Sequence, residues 1–145
     1  MHAGCVARLT AGVWAGVLLR GPSGAGKSDL ALRLLHQGWS LVGDDRVLVW
    51  RSGDELYARG APPLAGLIEA RGLDVLAGAS RPLATVRLLV DCVQGGGTLE
   101  RVSERSADTL SGVAVERVRL RPLEASAPIK VGLALQRAMT DPIRF

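Results

Sequence analysis

Apolar positions along this chain come in short interrupted runs whose period switches between two and nearly four. His2–Thr10 and Trp14–Arg20 read as strands, and Ala11-Gly12 between them is a tight-turn pair, so the chain opens on a β-hairpin. Gly21–Gly26 has no period and reads as a loop. From Lys27 to Gln37 the residues Leu30, Ala31, Leu34 and Leu35 fall at helical spacing, and Gly38 is a suitable helix stop. Trp39–Gly43 is a short strand that runs into Asp44-Asp45. Arg46–Arg51 and Glu55–Arg59 predict a second hairpin across Ser52-Gly53. Ala61–Gly66 is a Pro- and Gly-bearing loop, and Leu67–Leu76 fits either a short helix or a loop. Thr85–Val93 is a strong strand run, Gly95-Gly96-Gly97 a flexible connection, and Val113–Leu120 a strand with one slip in its alternation. Pro128 stands where a first helical residue would, ahead of Ile129–Met139, which carries Val131, Leu135, Ala138 and Met139 on one face. The pattern predicts one α/β domain over residues 1–145, rich in antiparallel hairpins and without repeat or linker.

A length of 145 residues supports one hydrophobic core. Apolar residues make up 48% and aromatic residues 3%, so that core is built from Leu, Val, Ala and Ile. The formal charge is +4, and of the basic residues only Lys27 and Lys130 are lysines. The positive excess suits an anionic ligand or acidic partner. It is too small and scattered for a nucleic-acid surface, which would also need aromatic residues for base stacking. Cys5 and Cys92 have no metal-ligand spacing and read as buried thiols in a reducing compartment. Residues 1–19 are apolar but lack a basic leader region, and Arg8 interrupts them, so they are expected to be strands and not a signal peptide. With no apolar run long enough to span a membrane, the expected location is the cytoplasm.

The chemistry is concentrated in one loop. Gly21-Pro22-Ser23-Gly24-Ala25-Gly26-Lys27-Ser28 matches G-x-x-x-x-G-K-[ST] throughout. Glycines let the backbone wrap an anion so that several N–H groups point inward, and a following helix N-terminus adds a favourable dipole. Lys27 is expected to reach the outer phosphates of a nucleoside triphosphate, and Ser28 to offer its hydroxyl to Mg²⁺. The apolar run Val17–Leu19 before the loop and the amphipathic segment after it supply the strand–loop–helix context. No guanine-reading N-K-x-D occurs, which argues against a GTPase.

Such a site needs a carboxylate near the metal, at the end of a neighbouring strand. Asp44-Asp45 and Asp91 compete for that place. The adjacent pair is the more informative, because one carboxylate can hold metal or water while the other accepts a proton as general base.

These residues resemble the catalytic domain of bacterial HPr kinase/phosphorylase. Gly21–Ser28 with Asp29-Leu30-Ala31 looks like the family's loop and helix, and Leu41-Val42-Gly43-Asp44-Asp45 like its LVADD segment. Glu69-Ala70-Arg71-Gly72-Leu73 looks like its E-x-RG-L-G signature, and Pro128-Ile129-Lys130-Val131-Gly132 like the start of its PVKPGRN segment. His2 takes the place of the family's catalytic histidine and Arg101 that of its active-site arginine. The resemblance implies a P-loop kinase core with antiparallel hairpins, related to the phosphoenolpyruvate carboxykinase-like fold. It implies ATP- and Mg²⁺-dependent phosphorylation of a serine on HPr, the small phosphocarrier of the sugar phosphotransferase system, with phosphorolysis as the reverse reaction. On this resemblance Lys27 neutralises phosphate charge, and Ser28 and Glu69 hold Mg²⁺ with Asp44 beside them. Asp45 is general base, His2 lies beside its proton path, and Arg101 clamps the transferring phosphoryl group. Taken alone, His2 is an ordinary terminal residue, Arg101 one arginine among many, and His36 a helix-surface residue.

The chain starts where the family's catalytic domain does, so a short form without the N-terminal domain is expected. The family's ring-like assembly leaves room for a homo-oligomer. Val131 replaces a proline of the tail segment, and Leu133-Ala134 replace its Arg-Asn pair; weak or altered phosphorolysis is the expectation. Two other readings fit a phosphate-binding loop, a nucleotide sensor without turnover and a small-molecule P-loop kinase.

Overall fold

The computed structural model describes residues 1–61, 67–70, 74–77, 80–94 and 104–144, with Ile68 the one side chain described within 67–70 and 74–77. In chain order the first elements are β1 (Ala3–Thr10), β2 (Val13–Arg20), α1 (Lys27–His36), β3 (Ser40–Gly43), β4 (Val47–Ser52) and β5 (Glu55–Gly60). They are followed by β6 (Leu67–Ala70), β7 (Asp74–Ala77), β8 (Ala84–Cys92), β9 (Ser106–Leu110), β10 (Val113–Leu120) and α2 (Ala127–Thr140). The fold is mixed α/β. Among the described residues eight strands form one sheet, with the path β3-β1-β2-β8-β10-β9.

The opening hairpin forms as expected. β1 and β2 pair from Ala3↔Arg20 to Thr10↔Val13, and the two turn residues, Ala11 at φ 51° and Gly12 at φ 76°, both take the left-handed conformation that a two-residue hairpin of matching twist demands. β4 and β5 also form a hairpin, but Ser52↔Glu55 is its last pair, so the turn is Gly53-Asp54, one residue later than the sequence suggests. The described residues of Leu67–Leu76 are strand, neither helix nor loop: β6 and β7 pair antiparallel from Leu67↔Ala77 to Ala70↔Asp74. Strands of four residues are too short for a period to separate from a helical turn, and pairing decides. β9 has no counterpart in the sequence reading. Its residues Ser106–Leu110 form a half-exposed edge strand without apolar alternation, so there is no periodic signal to find. Pro128 is the second residue of α2, behind Ala127. The expected loop at 62–66 and the glycine connection at 95–97 lie outside the described residues.

Alternation along the central strands builds two cores. Val6, Val17, Leu19, Leu88 and Val90 face the helices, where Leu30 and Leu34 of α1 and Val131 and Leu135 of α2 cover them, with Ile68 in the same cluster. Cys5, Ala7, Leu18 and Leu89 face the other way, against Val42, Val47, Leu56 and Ala58. Leu34 is fully buried between α1 and the sheet. Leu34→Ala is expected to cost about 2–5 kcal/mol, read as a lower urea midpoint at unchanged slope.

One feature of the topology matters most for chemistry. β2 and β8 run parallel, as do β8 and β10, so their C-terminal ends share one edge of the sheet. β1 is antiparallel to β2 and β3 is antiparallel to β1, which brings the start of β1 and the end of β3 to that edge as well. The loops that follow the C-terminal ends of parallel strands are where α/β proteins bind ligands.

Candidate functional site

Gly21–Gly26 leaves the end of β2 at this edge and turns directly into α1. Two glycines are required by geometry. A Cβ on Gly21 would lie 2.6 Å from the carbonyl oxygen of Cys92, and Gly26 sits at φ 105° with Leu123 2.8 Å from the position of a Cβ. Gly26 caps α1 without a side-chain hydrogen bond. The first N–H groups of a helix have no intrahelical partners, so this end presents donors to an anion. Lys27 is only 7% exposed, and its ammonium curls back to donate to the Gly21 carbonyl. Its charge is therefore held inside the loop and not extended into solvent.

The two aspartates beyond β3 divide between two partners. Ser28 Oγ donates to Asp44 Oδ1 at 2.9 Å, which joins the first turn of α1 to the end of β3. Asp45 faces the other way along the edge, with Oδ1 2.6 Å from His2 Nε2. Asp45 has φ 66°, and the N–H of Arg46 donates to the Asp44 carbonyl at 2.7 Å, so the chain reverses over three residues at the carboxylate pair. A left-handed non-glycine residue in such a turn is a backbone cost that Asp tolerates better than most. The first residues of β4 and β1 hold the backbone before His2: Val47 N–H donates to the Met1 carbonyl at 3.0 Å, and Ala3 N–H to the same oxygen at 3.1 Å. His2 and Asp45 are both more than half exposed, within reach of a second molecule.

Asp91, the competing acid, has another occupation. Arg20 grips it through two bonds, Nε to Oδ1 at 2.7 Å and Nη2 to Oδ2 at 3.1 Å, and Arg117 stands 3.6 Å from Oδ2. Arg20 also meets Asp108 at 2.9 Å. Asp91, helped by Asp108, holds the Arg20 guanidinium above its ordinary pKa, and Arg20 in turn lowers the Asp108 carboxyl. This cluster ties β2, β8, β9 and β10 together next to the loop. The sequence reading missed it, although Arg20 directly before the glycines and Asp91 at a strand end are its two visible signs. Arg101 and the Glu69 side chain lie outside the described residues.

Neither cysteine offers chemistry. Burial pushes the Cys5 thiol up to about 12 and the Cys92 thiol up to about 11, with the charge of Lys27 pulling the latter only partly back. Both are expected to resist iodoacetamide in the native protein at neutral pH and to be alkylated fully after denaturation, as read by mass spectrometry.

The pattern of the family described as the HPr Serine kinase C-terminal domain matches residues 5–80, just over half of the chain. The chain belongs to this family. The match includes the glycine loop, Asp44, Asp45 and Glu69, while His2 and Arg101 fall outside it. Among curated relatives, the HPr kinase/phosphorylase of Lacticaseibacillus casei (strain BL23) is 42% identical over 83 residues, covering 52% of this chain and 26% of the relative. That of Neisseria meningitidis serogroup B (strain MC58) is 33% identical over 125 residues, covering 81% of this chain and 38% of the relative. The chain thus spans well under half the length of the curated relatives it matches. The structure of the Hpr(Ser) kinase/phosphatase from Coxiella burnetii superposes with a TM-score of 0.76 over 96% of this chain and 95% of that one, at 21% identity, a likeness of fold. Among the described residues no helix is long and apolar enough to cross a membrane.

Proposed function

We propose that this chain acts as one catalytic unit that transfers the terminal phosphoryl group of ATP to a serine of HPr in the presence of Mg²⁺, with the reverse phosphorolysis weak or altered. The single observation that carries the reading is the division of the carboxylate pair, with Asp44 on Ser28 and Asp45 on His2. One acid belongs to the phosphate loop and the other faces outward, where a protein acceptor would approach.

The donor set fits magnesium. A hydroxyl and a carboxylate already in contact, both oxygen donors, suit a hard cation that keeps several waters and takes the rest from phosphates. Ser28 and Asp44 would hold it, with Glu69 joining on the family resemblance, and the ion would neutralise charge on the phosphates. The loop N–H groups and Lys27 bind and orient the triphosphate. The serine oxygen of HPr attacks the terminal phosphorus, its proton passes to Asp45, and the bond to the bridging oxygen breaks to release ADP. His2 orients the Asp45 carboxylate toward that proton. Arg101 is assigned the electrostatic clamp on the transferring group.

The test is to incubate the protein with Mg-ATP and HPr and to follow the mass of HPr. Gain of one phosphoryl group supports the reading. An unchanged HPr beside a protein that binds ATP would overturn it and leave a nucleotide sensor.

A further inference from the structure

Arg20 is the last residue of β2, and the glycine loop starts at the next residue. Each nitrogen of its guanidinium meets a carboxylate: Nε and Nη2 the two oxygens of Asp91, at 2.7 and 3.1 Å, and Nη1 Asp108, at 2.9 Å. We propose that Arg20 is a positioning residue for phosphate binding, which anchors the first residue of the loop so that the Gly21 carbonyl keeps the Lys27 ammonium in place. The proposal rests on the phosphate-binding reading of that loop.

Arg20 stands behind the phosphate site. Strand alternation puts it on the face of β2 that Leu18 occupies, and Asp91 on the face of β8 that Leu89 occupies, the side of the sheet away from α1. The donors for an anion are at the N-terminus of α1, on the other side. A guanidinium that lies behind the loop and spends its nitrogens on two carboxylates acts on a phosphate through the backbone and not by contact.

A continuous line of contacts runs from Arg20 to Lys27. Arg20 is paired with Asp91 in the parallel ladder of β2 and β8, and the two-pronged bond fixes the same two residues through their side chains. Arg117, 3.6 Å from Asp91 Oδ2, steadies the carboxylate from β10. The following residues, Gly21 and Cys92, are thereby held together, with only 2.6 Å between the Cys92 carbonyl oxygen and the place of a Cβ on Gly21. The Gly21 carbonyl in turn accepts from Lys27 Nζ. One backbone residue thus joins the ion pair to the ammonium. A second ion cluster supplies a comparison of the same kind. The buried Glu116 holds Arg105 at 2.5 Å and Arg137 at 3.0 Å, and so ties β10 to the last turn of α2, the end of that helix farther from the loop.

The test is isothermal titration with ATP and with inorganic tripolyphosphate, which has the phosphates and no nucleoside, on the wild type, Asp91→Asn, Asp108→Asn and Glu116→Gln, with urea unfolding of each. Asp91→Asn is expected to weaken both ligands by about 3- to 30-fold, the size of coupling carried by side chains that touch neither ligand. Asp108→Asn, at a more exposed carboxylate, should weaken both by a smaller factor, and it decides the question if Asp91→Asn does not fold. Glu116→Gln should lower the urea midpoint and leave both affinities unchanged. In a Lys27→Met background Asp91→Asn should cost no further affinity, because Arg20 acts through that lysine. Unchanged affinities in folded Asp91→Asn and Asp108→Asn would overturn the proposal while the phosphate loop stands. So would an equal loss in Glu116→Gln, which would reduce Arg20 to general stability, or an undiminished further loss in the Lys27→Met background. Failure of either ligand to bind the wild type would remove the loop reading and the proposal with it.

Discussion

Asp45→Asn is expected to slow phosphoryl transfer to HPr by about 10²–10⁴-fold, the range over which a positioned general base acts. The substitution isolates one property. Asn keeps the shape of the side chain and can still accept a hydrogen bond from His2, but it cannot take up a proton. Asn also tolerates the left-handed backbone, here φ 66°, as well as Asp does, so the reversal over Asp44–Arg46 should persist. Because Asp45 and His2 are largely exposed, the stability change is expected to stay within about 0.5 kcal/mol. The measurement is the rate of HPr phosphorylation by mass, paired with ATP titration. Full loss of rate with ATP affinity intact would identify Asp45 as the base. An undiminished rate would exclude it.

Lys27→Met is expected to act one step earlier, on nucleotide affinity itself. The ammonium lies inside the loop and is almost wholly shielded from water, so its attraction to a bound phosphate is weakly screened. Met preserves most of the apolar stem and leaves the Gly21 carbonyl without its charged donor. A charge-assisted hydrogen bond of this type is worth about 1.5–3 kcal/mol, which converts to roughly 10- to 150-fold in affinity. Titration with ATP and with tripolyphosphate should show the same loss for both, since the lysine meets phosphate and not base. An unchanged affinity for either ligand would mean that Lys27 only braces the loop. The two variants therefore separate binding from proton transfer.

The parts of the site that lie close together along the chain were legible in advance. Gly21–Ser28 could be read as a loop entering a helix because glycine placement and the helical spacing of Leu30, Ala31 and Leu34 are local facts, and α1 begins at Lys27 accordingly. Asp44-Asp45 could be read as a strand-end pair because Leu41 and Val42 precede it. The β1–β2 hairpin was equally open to view, since Ala11-Gly12 separates two strand-like apolar runs and Gly12 accepts the left-handed backbone of a tight turn.

Other features had no local signature. β9 is polar and half-exposed, and β6 and β7 are four residues each, so no period marks them. Asp91 looked like a second candidate acid because its hydrophobic run is the more ordinary one, and only the parallel pairing of β2 with β8, which sets Arg20 opposite it across 71 positions of sequence, assigns it to an ion pair. The same holds for Arg33, whose grip on the carbonyls of Pro122 and Glu124 crosses from α1 to the segment after β10. Backbone conformation and hydrophobic period are properties of neighbouring residues, and they specified the loop, the first helix and the acid pair. Which strand ends meet at one edge is a property of long-range pairing, and it alone brought His2 to Asp45, Ser28 to Asp44 and Leu123 to Gly26.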